Sequence, residues 1–137
     1  MKFPFFKIPT AIPEKWIIRP IIPIRIFGPG ESIMVDALID SGADCSVFND
    51  EIGREIGLNL GAYPIEKLSG IEGGIIPAKL HKIKIQIVGL KEKIEIVARF
   101  TESKGVSAIL GQEGFFDAYH IKFERTRGII EITPAKK

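Results

Sequence analysis

The 137 residues suit one domain, and 45% hydrophobic with 26% charged content supplies both a core and an aqueous surface, which excludes disorder over most of the length. A net charge of +2, with basic residues interleaved among acids, excludes a nucleic-acid clamp, and no apolar run approaches the ~18 residues that would span a bilayer. Cys45 is the single cysteine, so an intrachain disulfide is excluded; the expectation is a cytoplasmic protein with no membrane and no nucleic-acid partner.

Residues 1–20 are apolar and broken by Pro4, Pro9 and Pro13, a pattern unlike a signal peptide and suited to extended chain packed on a surface. "IIPIRIFG" reads as a strand, with Pro23 marking an edge or bulge. A turn through Gly28, Pro29 and Gly30 leads to "SIMVDALID", a second strand and a hairpin partner, in which Asp36 suits a wet face. Phe48, Ile52 and Ile56 then recur every four residues, drawing the apolar stripe of a short helix with Asn49 as its cap and Gly57 as its stop. "LSGIEGGII" is a glycine-rich loop or hairpin tip. Ile83, Ile85 and Ile87 alternate with Lys82, Lys84 and Gln86, and Ile94, Ile96 and Ala98 resume the alternation, as half-buried antiparallel strands do. "VSAILG" is a compact strand, "QEGFFDAYHI" one or two helical turns, and "IKFERTRGIIEI" a strand, turn and strand. Short strands and two short helices around one core give an all-β class with a barrel-like or folded-over sheet.

"ALIDSGADCSVF", residues 37–48, places Asp40-Ser41-Gly42 at the end of an apolar strand, where a charge is costly. A turn explains it cheaply; a reaction centre explains it with more demand. With Asp40-Ser41-Gly42-Ala43 behind "ALI", a flap candidate at Gly70–Gly74 and then Ile109-Leu110-Gly111, residues 20–133 resemble the retroviral-type (retropepsin-like) aspartic proteases. The resemblance implies a closed, barrel-like acid-protease fold with one or two short helices, working as a homodimer with its active site on the two-fold axis. It divides the chain into an amino-terminal extension (1–20), a protease domain (21–133) and a basic tail (134–137). It implies Asp40 as the catalytic residue, with Ser41, Gly42, Ala43 and Gly111 supporting its loop. Asp44, Gly70, Ile71, Gly73, Gly74 and Ile75 would contact a peptide substrate. Gln112 stands where the viral enzymes often carry arginine, and it could hydrogen-bond Asp44 without neutralising it.

The chemistry this implies is peptide-bond hydrolysis in extended segments. Two carboxyl groups sharing one proton activate a water and polarise the carbonyl. One Asp-Ser-Gly supplies half of that machinery, so two copies of Asp40 would have to meet across a symmetry axis. No metal and no organic cofactor is expected. The alternative is a catalytically inactive protease-like module that binds peptides or assembles with partners; a weaker one is an unrelated β-barrel with an accidental turn. A serine nucleophile is poorly supported, since no glycine precedes Ser41 as in a nucleophile elbow. His81 and His120 read as structural or surface residues, Cys45 as a small buried one, and Trp16, Met34, Phe48, Phe115, Phe116 and Tyr119 as core or interface pieces.

Overall fold

The computed structural model describes residues 1–71 and 74–135. The amino-terminal segment forms three short strands: β1 (Lys2–Pro4), β2 (Phe6–Pro9) and β3 (Trp16–Arg19). Next come β4 (Ile21–Phe27) and β5 (Ser32–Ile39), paired antiparallel around the Gly28–Gly30 turn. β4 keeps Ile22, Ile24 and Ile26 fully buried, so the strand's alternation faces the core as the sequence pattern expects. Asp36 is exposed on β5.

β6 (Val47–Asn49) leads into α1 (Asp50–Glu55). Phe48 is strand rather than helix, yet it shares the core with Ile52 and Ile56. Asn49 caps the helix, accepting from the Glu51 N–H at 3.0 Å, while its Nδ2 donates to the carbonyls of Ser103 and Val106 at 3.3 and 3.2 Å. Gly57 ends it with φ +90°, a conformation that costs glycine nothing.

The rest of the large sheet is β7 (Ile65–Ile71), β8 (Gly74–Ile87), β9 (Ile94–Thr101) and β10 (Ala108–Leu110). The strand order is β4-β5-β10-β6-β9-β8-β7, with an added pairing of β8 to β4. β5–β10 and β6–β9 are parallel; the other contacts are antiparallel. After a kinked helical turn at Gln112–Phe116 come β11 (Tyr119–Glu124) and β12 (Ile129–Pro134).

The expectation of a closed barrel is corrected. The fold is β-rich with short helices, but the hydrogen-bond ring of the large sheet does not close into a barrel. The β8–β4 link spans only the register pairs from Ile24↔Ile87 to Phe27↔Lys84, at one end of a long strand. Strands that alternation alone would assign to one barrel are shared among three sheets. β12 pairs with β1 on one side and β11 on the other, and β2 and β3 pair only with each other. The core nevertheless runs through both larger sheets: Phe3, Phe5, Phe115, Ile130 and Ile132 join Ile24, Ile85, Phe48 and Phe100 in one apolar cluster. Among the described residues, no helix is long and apolar enough to cross a membrane.

Candidate functional site

The Asp40–Ser46 loop is held by main-chain bonds to the chain that follows β10. The Asp40 N–H donates to the Leu110 carbonyl at 2.9 Å. Gln112 and Glu113 in turn donate their N–H groups to the carbonyls of Ala43 and Asp44, at 2.8 and 2.9 Å. Gly111 sits in the angle between these segments. A Cβ added there would lie 2.3 Å from the Cys45 carbonyl oxygen, so only glycine fits. Its N–H donates to Oγ of the fully buried Ser46 at 3.1 Å.

Within the loop, Asp40 Oδ1 accepts the Gly42 N–H at 2.9 Å, and the Ala43 N–H donates to the Asp40 carbonyl at 3.2 Å. The side chain closes its own turn. Ser41 is exposed, and its carbonyl accepts from Gln112 Nε2 at 2.6 Å. Gln112 thus supports the loop at Ser41, where the sequence suggested Asp44.

Asp40, Gly42, Ala43 and Asp44 line an open cleft of about 380 Å³. Glu66, Lys67, Leu68 and Ser69 of β7 also line it. Four consecutive strand residues cannot all project from one pleated face, so the cleft is bordered by the edge of β7. That edge is the terminal one of the large sheet. β7 pairs regularly with β8 from Ile65↔Lys79 to Ser69↔Ile75, and a bulge is confined to the Ser69–Ile71 end.

Arg99 of β9 also lines the cleft, together with Glu113 and Ile109. It is buried, and its Nη1 donates to the Val97 carbonyl at 3.0 Å. Nε lies 3.6 Å from Glu66 Oε1 and Nη1 lies 3.5 Å from Glu113 Oε1. Both partners are far enough for attraction with weak hydrogen bonding at best. Asp40 and Asp44 make no ion pair among the described residues, so the cleft carries excess negative charge. Cys45 also reaches it; burial pushes its thiol pKa up against the pull of Arg99, which keeps it protonated and a poor nucleophile at neutral pH.

Of the flap residues, Gly70 and Ile71 lie in β7, while Gly74 and Ile75 are exposed at the start of β8 and do not border the cleft. Gly73 lies outside the described residues.

The paired-carboxylate mechanism is corrected here. Among the described residues no two aspartates are paired: Asp40 spends an oxygen on its own turn, and the buried Asp50 meets Lys79 and Arg54, at 2.5 and 3.8 Å. With neither the dyad nor the barrel, the retropepsin-like assignment, the aspartic endopeptidase activity and the homodimeric active site are withdrawn. Among the described residues, no group of three or more His, Cys, Asp or Glu side chains is placed to hold a metal ion.

Sequence reasoning missed Arg99, Glu66 and Glu113. The available signal was an arginine between Ala98 and Phe100, inside an apolar strand where a charge requires partners. No protein-family model matches the chain, and no curated protein matches it in sequence.

Proposed function

We propose that this cleft binds an extended, basic polypeptide segment, added as a further strand beside β7. One observation carries the reading: a terminal sheet edge lines the same cleft as two carboxylates that make no ion pair among the described residues. The free edge offers a row of main-chain donors and acceptors, which gives affinity without regard to sequence. Asp40 and Asp44 supply the selectivity, since a lysine or arginine entering the cleft meets negative charge. Gly42 keeps the loop low, leaving room for the segment's backbone. The unpaired Cys45 suits a cytoplasmic setting.

The test is fluorescence polarisation with labelled unstructured peptides. Basic peptides bind and acidic ones do not. Asp44→Asn, which preserves shape and removes charge, weakens binding by about tenfold. Methylating alternate peptide amides on one edge abolishes binding, because strand addition needs those donors. Equal binding of acidic peptides, or indifference to amide methylation, rejects the proposal.

A further inference from the structure

The β2–β3 hairpin is hydrogen-bonded to no other strand, and a lone two-stranded ribbon is marginal in water. It nevertheless exposes large apolar side chains: Phe6 (45%), Ile12 (58%), Trp16 (55%) and Ile17 (43%). Only Ile18 of this hairpin packs against the core cluster. Its tip is ordered, with Thr10 Oγ1 donating to the Lys15 carbonyl at 2.7 Å and the Lys15 N–H donating to the Ile12 carbonyl at 3.2 Å. Exposed apolar groups held on an ordered projection, rimmed by charge, mark an interaction surface.

Charge says which kind. Residues 1–20 carry Lys2, Lys7, Lys15 and Arg19 against Glu14 alone, a net +3, while the remaining residues carry a net −1. The register distributes the hairpin's groups by depth. Pro9↔Trp16 is the rung nearest the tip, and Lys7↔Ile18 and Phe6↔Arg19 lie further back. Alternation puts Lys7 on one face and Arg19 on the other. A flat protein partner on either face would desolvate a cation, and two copies of this hairpin would repel each other. A layer entered tip first fits instead. Ile12 and Trp16 reach its apolar part, Lys7 and Arg19 meet the anionic groups at its boundary, and Lys15 extends back to them.

We infer that this hairpin docks the protein on anionic lipid surfaces, in place of the sequence expectation of no membrane partner. The binding is peripheral, combining shallow apolar insertion with attraction to acidic headgroups.

Trp16 is the only tryptophan, so its emission reports on the hairpin directly. The experiment mixes the full chain with phosphatidylcholine vesicles, with and without phosphatidylserine, and measures co-sedimentation and emission. Expected are sedimentation with the phosphatidylserine vesicles and a blue shift of Trp16. Lys7→Gln with Arg19→Gln weakens partitioning about 30-fold, two headgroup attractions being lost. Ile12→Ser reduces sedimentation while circular dichroism stays unchanged. Protein remaining in the supernatant with phosphatidylserine vesicles overturns the inference. So does a Trp16 shift that follows protein concentration without lipid, which would show another copy of the chain covering the hairpin.

Discussion

Lys79→Met lowers the stability of the protein by about 3 kcal/mol, although lysine is usually a dispensable surface residue. Asp50 is 1% exposed at the start of α1, and Lys79 Nζ from β8 reaches its Oδ2 at 2.5 Å. Asp50 Oδ1 is buried without a hydrogen-bond partner, so this carboxylate already leans on few contacts. Arg54 lies 3.8 Å away on an exposed side chain and replaces little of what Lys79 supplies. Removing the ammonium strands a charge in the interior. Adding Asp50→Leu to Lys79→Met removes the charge as well and recovers most of the loss, since an apolar pair of similar volume is tolerated where half an ion pair is not. Urea denaturation of the two single variants and the double variant measures this. A loss below about 1 kcal/mol for Lys79→Met would place the pair among ordinary surface bridges.

Gly111→Ala has an effect of similar size by a different route, about 3 kcal/mol, at the top of the usual range for overpacking. The new methyl would lie 2.3 Å from the Cys45 carbonyl oxygen and 2.8 Å from that of Ala43, and both neighbours are backbone. Relief requires moving the Asp40–Ser46 loop, so peptide affinity falls together with the melting temperature. Gly128→Ala is the control: nothing lies within 4 Å of its added Cβ, and only the φ of +67° opposes it. Thermal melts and peptide polarisation on both variants separate a crowded loop from a generic glycine effect. Equal losses for the two would refute the crowding argument.

Local chemistry was legible in the sequence; long-range pairing was not. Ile83, Ile85 and Ile87 announce a buried strand face because side chains alternate along any strand, whatever it pairs with. Asn49 announces its cap because that bond closes within two residues. The hairpin of β11 and β12 was visible for the same reason. By contrast, sheet closure depends on which distant strands meet, and alternation is silent about partners. The same apolar pattern that suggested one barrel is satisfied by three sheets. Asp40 and Gly42 of the Asp40-Ser41-Gly42 stretch line the cleft, and the paired-carboxylate chemistry expected of them is not what the structure supports. A turn and a reaction centre share those three residues, and the difference lies in what else lines the cleft, here β7. Arg99 with Glu66 and Glu113, and Asp50 with Lys79, join residues far apart in the chain, beyond the reach of any spacing rule.

The long strand β8 changes company along its length. From Lys79 to Ile85 it is gripped by β9, and near Ile87 by β4, whereas Gly74 to Ala78 are paired with β7 alone. Mechanically this is a cantilever, rooted in the core and narrowing outward to a ribbon two strands wide. Such a beam bends most easily far from its root, where few bonds must strain together. The partner strand in that ribbon is β7, whose Glu66, Lys67, Leu68 and Ser69 line the cleft. A change in the width of the groove is therefore expected to strain fewer bonds at this ribbon than at the buried Ile83, Ile85 and Ile87.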